Sequence, residues 1–308
     1  MIALRHGTIE PIGSFDIAQS VGFLNKWPVT RGSVTDAVLR FAFCAEHDWR
    51  PVGVRVAQHG HQVDVETTGP GAAVEDIYAQ IARILSLDID ASGLDDLARR
   101  DPVVARLIRA APGLRPVCYW TPWEAACWAV LSQRTPTRTT SVLRQRIAGE
   151  LGTSVTVDGT VQLAFPSPQV VLEAPEVPGV NSVKLDRLRA LAAAALDGTL
   201  TADTLRAMPA EDALATLRML PGIGPFSAAL ILIRGAGAPD VFTTDEPRLL
   251  AAMRTLYQLP DSATEHDYRT IAESWRPLRS WVSFWVRSVS LSPADDLPPM
   301  PAKWKEET

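Results

Sequence analysis

The chain of 308 residues lacks long apolar runs, which argues against membrane-spanning helices. Its apolar stretches, such as residues 228 to 233, fall far short of the roughly 18 consecutive apolar residues that a membrane-spanning helix needs. Residues 1 to 16 have no uninterrupted apolar segment after their charges, as a secretory signal would require. We therefore expect a cytoplasmic protein.

Cysteine is scarce, and its pattern does not suggest cross-links. Cys44, Cys118 and Cys127 are odd in number and widely spaced, and no CxxC pair occurs. This pattern predicts reduced thiols in the core rather than disulfides or a metal centre. Among five histidines only His59 and His61 lie close in sequence, so we predict no metal site formed by side chains.

Positive charge is not in excess overall, but it is concentrated in one segment. Lys and Arg number 30 against 35 Asp and Glu, and this net charge of -5 argues mildly against a nucleic-acid partner. Residues 131 to 149, however, contain no acidic residue and four arginines: Arg134, Arg138, Arg144 and Arg146. This basic patch is either a solvated helix face or a DNA-binding face.

The composition is that of an ordered globular protein, with 46% hydrophobic and 21% charged residues. At roughly 150 residues per domain, the length allows two or three domains. Alternating runs at 52–56 and 62–66 predict strands, and TTGPG at 67–71 breaks the pattern. From residue 73 onward, apolar residues three and four apart predict helices almost throughout. The fold class predicted is α+β, a small N-terminal antiparallel-sheet domain followed by mainly α-helical domains.

The sharpest local signal is LPGIGPFSA at residues 220–228, between two helical segments. Gly222 and Gly224 flank a single residue and permit the positive φ angles of a tight turn. Pro225 suits the first turn of a following helix, and the free amides of that turn would form a phosphate site. The alternative is an ordinary glycine-containing turn between two packed helices.

These residues resemble the hairpin of the helix-hairpin-helix (HhH-GPD) DNA glycosylase superfamily. Five further segments follow the family's order and spacing: PWEAACWAVLSQRT (122–135), FPSPQVVLEA (165–174), VKLDRLRALAAAALDGTL (183–200), DVFTTDEPRLL (240–250) and SWRPLRSWVSFW (274–285). FDIAQSVGFLNKW (15–27) and PGLRP (112–116) are similar to the AlkA-type 3-methyladenine DNA glycosylase II subfamily. The resemblance therefore covers nearly the whole chain.

The resemblance implies a division into domains and a set of partners. An N-terminal α/β sheet domain would occupy 1–95, one helical domain 96–117 with 239–290, and a second, containing the helix-hairpin-helix, 118–238. A tail would occupy 291–308. The expected protein is a monomer that acts on double-stranded DNA with damaged bases and associates with the nucleoid when it does so.

In this family, a carboxylate about twenty residues after the hairpin stabilises the positive charge on the sugar as the base leaves, in loose analogy to glycoside hydrolysis. A gap-free register places Glu246 there, whereas a shift of one residue places Asp245, the better side chain at a helix start. Pro247 disfavours helical geometry at Glu246, which could itself be the boundary residue. Asp245 is the preferred candidate, Glu246 is kept beside it, and a plain acidic helix start is the alternative.

The resemblance also implies the type of chemistry. Bifunctional members have a lysine just after the hairpin that attacks the sugar, whereas this chain has Phe226, which implies a monofunctional hydrolase that uses water. The cysteines that hold an iron-sulfur cluster in endonuclease III relatives are missing, so we expect no such cluster and no redox cofactor. The family's hairpin often binds a monovalent cation through backbone carbonyls, here those of Met219, Leu220 and Ile223.

Two sets of contact residues follow from the resemblance. The DNA-binding set comprises Gln133, which would fill the gap left by an extruded base, with Arg134, Thr135, Arg138, Gly222, Ile223, Gly224, Pro225, Phe226 and Ser227. The base-pocket set comprises Phe23, Phe226, Trp281 and Trp285, whose rings would attract cationic alkylated purines. For the two tryptophans, core packing is the alternative. Lys184 is a further candidate contact to the DNA backbone.

The chain departs from the AlkA pattern at four positions. Leu230 and Pro247 stand where the subfamily has tyrosines, Arg287 replaces an aromatic residue, and Arg134 stands where an apolar wedge is usual. The leading hypothesis is a monofunctional glycosylase of base excision repair that removes alkylated bases of the 3-methyladenine type. Two alternatives remain open, a non-catalytic lesion-binding relative and a glycosylase for uracil, hypoxanthine or an oxidised purine.

Overall fold

A computed structural model describes residues 3–27, 34–35, 37–69 and 74–289. An antiparallel sheet fills the N-terminal part of the described chain, and helices make up most of the rest. The predicted α+β class is thereby confirmed. The predicted tail at 291–308 lies outside the described residues.

The sheet has five strands in the order β1-β5-β4-β3-β2, all antiparallel to their neighbours. Their bounds are β1 Ala3–Ile9, β2 Val34–Thr35, β3 Val38–Cys44, β4 Pro51–His59 and β5 Gln62–Gly69. The two strands predicted from alternation are β4 and β5, and β5 continues through the predicted break as far as Gly69. Val54, Val56, Val63 and Val65 are at most 1% exposed and form the centre of the core under the sheet.

The helices begin with α1 Ile17–Lys26, α2 Val74–Ile84, α3 Leu94–Arg100, α4 Pro102–Ala110, α5 Pro122–Leu131, α6 Thr137–Leu151 and α7 Pro168–Glu173. They continue with α8 Ser182–Leu196, α9 Ala202–Ala207, α10 Ala210–Arg218, α11 Pro225–Leu230, a π-helical turn at Ile231–Gly235, α12 Pro247–Leu256, α13 Glu265–Glu273 and α14 Arg279–Ser288. No helix among these described residues combines the length and apolar character needed to cross a membrane.

Helix starts follow the capping chemistry of the sequence. The Thr121 hydroxyl accepts a hydrogen bond of 3.0 Å from the Glu124 amide, and Pro122 occupies the first turn of α5, as predicted. Asn181 caps α8 in the same way, through the Lys184 amide at 2.9 Å. Short polar side chains therefore fix the starts of α5 and α8, the two helices next to the turn at residues 220–228.

The expectation of helices almost throughout is wrong at residues 153–164, which form the antiparallel hairpin β6 Thr153–Val157 and β7 Thr160–Ala164. Asp158 and Gly159 have φ angles of +46° and +72°, the conformation that a tight two-residue hairpin turn requires. The hairpin packs on β4 at Gly53, where an added Cβ would lie 2.5 Å from the Val157 side chain. Glycine at that position is what allows the close approach.

The predicted domain boundaries stay a prediction, but the packing separates into three main clusters of buried residues. One joins the sheet to α1 and α2, the second lies around α5, α8 and the π-helical turn, and the third lies among α3, α4 and α12 to α14. Arg83 links the first two, because it donates to the Trp120 carbonyl at 2.7 Å and the Gly235 carbonyl at 2.5 Å and pairs with Glu46 at 2.6 Å.

Candidate DNA-binding and active site

The segment predicted as a tight turn connects α10 to α11. Gly222 has a φ angle of +84°, and the buried Ile223 amide donates to the Leu220 carbonyl at 3.1 Å. Gly224 is the N-cap of α11, and Pro225 lies in its first turn. Because the left-handed φ at Gly222 strains any other residue, glycine there is a requirement of the turn.

Gln133, after the end of α5, lies directly against this hairpin. Its Nε2 donates to the Gly222 carbonyl at 2.6 Å, and its Oε1 accepts from Arg187 Nη1 at 2.5 Å. An added Cβ at Gly222 would lie 2.7 Å from Arg187 Cδ, so Arg187 packs tightly on the turn. The structure thus brings together Gln133 and the hairpin, and adds Arg187, which the sequence did not single out.

Arg134 and Thr135 follow in the same loop. Arg134 is exposed and has a φ of +53°, a left-handed conformation that is uncommon for a residue with a side chain. Lys184 Nζ donates to the Leu131 carbonyl at 2.7 Å and to Thr135 Oγ1 at 3.1 Å. Burial, and then the neighbouring Arg187, lower the pKa of Lys184. Lys184 therefore stabilises the loop through its hydrogen bonds, whereas the side chain of Arg134 is exposed.

The four arginines of the basic patch do not form one face. Arg138 is exposed on α6, but Arg144 pairs with the buried Glu124 at 2.5 Å and is only 11% exposed. Arg146 pairs with Glu150 one turn further on. Arg144 therefore fits neither a solvated helix face nor a DNA-binding face, because it compensates a carboxylate buried in α5.

A cleft of about 600 Å³ opens beside the hairpin, between α1, α11, the π-helical turn, the start of α12 and α14. Its lining includes both aromatic and charged side chains: Phe23, Lys26, Trp27, Phe226, Arg234, Glu246, Phe284 and Arg287. Its volume lies in the range of small-molecule sites in proteins. The cleft is therefore large enough to hold a small ring-shaped ligand.

The floor of the cleft is a guanidinium surrounded by rings. Arg234 Cζ lies 5.3, 4.9 and 5.1 Å from the ring centroids of Phe23, Trp27 and Phe284. Arg234 Nε and Nη2 donate to the Val117 carbonyl at 3.1 and 2.5 Å, and burial lowers the pKa of the side chain. Trp27, Arg234 and Phe284 were missed in the sequence, although an arginine isolated within the apolar segment 228–235 was a usable signal.

Of the two candidate carboxylates, Glu246 lines the cleft and Asp245 does not. Glu246 is the N-cap residue of α12, and Arg287 Nε donates to its Oε1 at 2.5 Å. Asp245 is exposed, and its carboxylate accepts from the Thr243 hydroxyl at 3.0 Å. The capping argument for Asp245 is therefore wrong, because Pro247 occupies the first turn and moves the boundary to Glu246.

Trp281 and Trp285 do not line the cleft, contrary to the predicted base pocket. Each is 2% exposed, and they pack edge to face at 6.1 Å. Trp285 Nε1 donates to the Leu114 carbonyl at 3.0 Å, and Arg115 lies over the ring of Trp281. Both therefore belong to the core, whereas the predicted Phe23 and Phe226 do line the cleft.

Two of the four departures from the AlkA pattern, Leu230 and Arg287, line the cleft. Leu230 lines its wall, Pro247 starts α12, and Arg287 holds Glu246. In the hairpin, the Leu220 carbonyl accepts from the Ile223 amide and Met219 is 84% exposed. The monovalent cation at the carbonyls of Met219, Leu220 and Ile223 stays a prediction. Among the described residues, no group of three His, Cys, Asp or Glu side chains could hold a metal ion.

No family model matches the sequence. The chain is 24% identical to the DNA-3-methyladenine glycosylase of Bacillus subtilis over 216 residues, which are 69% of this chain and 71% of that protein. It is 33% identical to DNA-3-methyladenine glycosylase 2 of Escherichia coli over 185 residues, 58% of this chain and 61% of that protein. The chain thus spans less than two thirds of the Escherichia coli relative.

Two solved structures share the fold. The 3-methyladenine DNA glycosylase of Archaeoglobus fulgidus superimposes with a TM-score of 0.75 at 20% identity, covering 91% of this chain and 97% of that one. The 8-oxoguanine glycosylase/lyase of Clostridium acetobutylicum, solved with double-stranded DNA, superimposes with a TM-score of 0.62 at 16% identity, covering 94% and 96%. The chain is therefore similar in sequence to DNA-3-methyladenine glycosylases and has the fold of these solved DNA glycosylases.

Proposed function

We propose that this DNA glycosylase hydrolyses the N-glycosidic bond of alkylated bases of the 3-methyladenine type in duplex DNA and leaves the strand uncut. The observation that carries the proposal is the position of Glu246, the one acidic side chain among the described residues that line the aromatic cleft beside the hairpin. The named activities of the relatives support the same substrate class.

The exposed part of the site supports contact with DNA. Gln133, Arg134 and Thr135 lie at the hairpin, and Arg138 is exposed on the next helix. Extrusion of a base costs about a few kcal/mol, and a side chain that fills the vacated space offsets part of that cost. Arg134, projecting from a left-handed loop position, and Gln133 are the residues that we assign to this role.

Glu246 would act on the sugar rather than on the base. As the bond from C1′ to the base nitrogen breaks, its electron pair leaves with the base, and positive charge develops on the sugar. A carboxylate beside the sugar stabilises that charge and orients a water, whose oxygen bonds to C1′ while one of its protons passes to the carboxylate. Arg287 holds Glu246 in a fixed orientation through its 2.5 Å hydrogen bond.

Phe226 supports the monofunctional part of the proposal. It follows the hairpin, lines the cleft and is 47% exposed. Since a phenyl ring offers no nucleophile, a Schiff base with the sugar cannot form at this position. Lyase cleavage of the strand would need another amine.

The test is base release by the purified protein from methylated duplex DNA, with chromatographic identification of the free base. We expect 3-methyladenine or 7-methylguanine to be released, strand breaks to appear only after alkali, and borohydride to trap no protein-DNA adduct. Breaks before alkali, together with a trapped adduct, would contradict the monofunctional assignment. Salt-sensitive DNA binding without any released base would instead favour a lesion-binding protein.

A further inference from the structure

The charge balance of the cleft bears on which damaged bases it accepts. Among the described lining residues, the basic side chains are Lys26, Arg234 and Arg287, and the acidic one is Glu246. Arg287 is hydrogen-bonded to Glu246, so these two charges largely offset each other. Among the described residues no carboxylate is hydrogen-bonded to Arg234, which donates to the neutral Val117 carbonyl, and Glu246 attracts its charge only without a direct bond.

Arg234 also occupies the aromatic surface that a cationic base would use. Its guanidinium lies within 5.3 Å of three ring centroids, those of Phe23, Trp27 and Phe284. The negative potential of a ring face attracts a cation at about this distance, and here that attraction is already directed at Arg234. A second cation in the cleft would meet a like charge.

One end of the guanidinium remains available to a ligand. Nε and Nη2 donate to Val117, whereas Nη1 makes no hydrogen bond with any described residue. Arginine offers donors only, so its natural partner is an acceptor such as a purine carbonyl oxygen or ring nitrogen. A neutral damaged base carries such acceptors.

The effect of the Arg234 charge on cleavage of the C1′–N bond depends on the charge of the base that leaves. When a neutral base leaves, it takes the electron pair of the C1′–N bond and becomes negative until it gains a proton from water. When a cationic alkylated base leaves, the same electron pair makes it neutral. A fixed positive charge beside the base therefore stabilises the first transition state and opposes binding of the second substrate.

We propose that Arg234 is a specificity-determining residue, which favours the release of neutral damaged bases relative to cationic ones. This inference rests on the proposed function, because it concerns the selectivity of the same cleft. It predicts that this protein, besides releasing alkylated bases, also releases a neutral base such as hypoxanthine from DNA.

The first test uses the wild-type protein. Single-turnover release of hypoxanthine and of 7-methylguanine is measured from otherwise identical duplexes, and each rate is divided by the spontaneous rate for that base. We expect the acceleration to be larger for hypoxanthine. An equal or larger acceleration for 7-methylguanine would overturn the proposal but leave the proposed function intact. Release of neither base would overturn the proposed function itself.

The second test uses variants with and without the charge. Arg234→Met should lower the ratio of hypoxanthine to 7-methylguanine release by about tenfold or more, a change that corresponds to about 1.4 kcal/mol. Arg234→Lys keeps the charge and should keep most of the ratio. An Arg234→Met ratio equal to that of wild type would contradict the assignment.

Arg115→Met is the matched control. Arg115 is also a buried guanidinium that donates to backbone carbonyls and lies over a tryptophan ring, but it does not line the cleft. Its loss should lower stability and leave the ratio of the two rates unchanged. If Arg115→Met shifted the ratio as much as Arg234→Met, general destabilisation rather than charge in the cleft would explain the effect. If Arg234→Met does not fold, the wild-type accelerations decide.

Discussion

Replacing Glu246 by glutamine should remove most of the base-release activity. The change deletes one negative charge and keeps the shape of the side chain, whose carboxylate accepts from Arg287 Nε at 2.5 Å. Glu246 makes no capping hydrogen bond to α12, so the substitution removes no bond at the start of that helix. Thermal unfolding of the variant separates a loss of chemistry from a loss of stability caused by the broken pair with Arg287.

The magnitude follows from the electrostatics of the cleft. A carboxylate about 4 Å from the sugar cation contributes about 4 kcal/mol at an effective dielectric constant of about 20, the value suited to a partly exposed pair. Glu246 is 28% exposed, which fits that regime. Arg287 offsets part of the attraction, so we expect a fall of roughly a hundredfold to a thousandfold in rate.

Asp245→Asn is the matched comparison, since it deletes the same charge one residue away. Asp245 is exposed and bonded to Thr243 outside the cleft. Surface substitutions usually change free energies by no more than about 0.5 kcal/mol, so the rate should stay within about twofold of wild type. The assay is single-turnover base release at saturating enzyme, with thermal unfolding of each variant as the check on folding. A large loss in Asp245→Asn alone would show that Asp245, and not Glu246, stabilises the sugar cation.

Three further predictions concern other parts of the molecule. Arg83→Met should lower the free energy of unfolding by about 3–5 kcal/mol in urea titrations, because Glu46 is left buried and unpaired, and the double change with Glu46→Gln should cost less. The Cys44 thiol, whose pKa burial raises to about 12, should not react with a thiol reagent at pH 8 until the protein unfolds, because almost none of it is the reactive thiolate below that pKa. Arg134→Ala should reduce by about one the slope of log affinity for DNA against log salt, whereas Arg144→Ala should destabilise the fold and leave that slope unchanged.

Local features of the molecule follow closely from the sequence. The hairpin at 220–228, the strands β4 and β5 and the start of α5 at Pro122 depend on backbone preferences of glycine and proline and on short-range periodicity. These preferences act within a few residues, so the neighbouring residues in the sequence are enough to predict the features that depend on them. β6 and β7 were not predicted because their alternation of apolar and polar residues is short, although Asp158-Gly159 is a recognisable hairpin turn.

The cleft depends on contacts distant in the chain and could be predicted only in part. Arg234 is surrounded by rings from α1 and α14, and no local pattern places those elements beside each other. The misassigned Trp281 and Trp285 share α14 with Phe284, but helix periodicity alone does not say which face of α14 meets the core and which the cleft. The packing of α14 against α4 and α12 decides which of its faces meets the core and which meets the cleft.

If the proposed function is correct, the extruded nucleotide enters the cleft with its sugar at Glu246. The most direct test is a crystal structure with duplex DNA that carries a pyrrolidine mimic of the cationic sugar. We expect the pyrrolidine nitrogen to lie within about 3 Å of a Glu246 carboxylate oxygen, with Arg134 or Gln133 in the gap in the duplex. A pyrrolidine bound at Asp245, or outside the cleft, would contradict it.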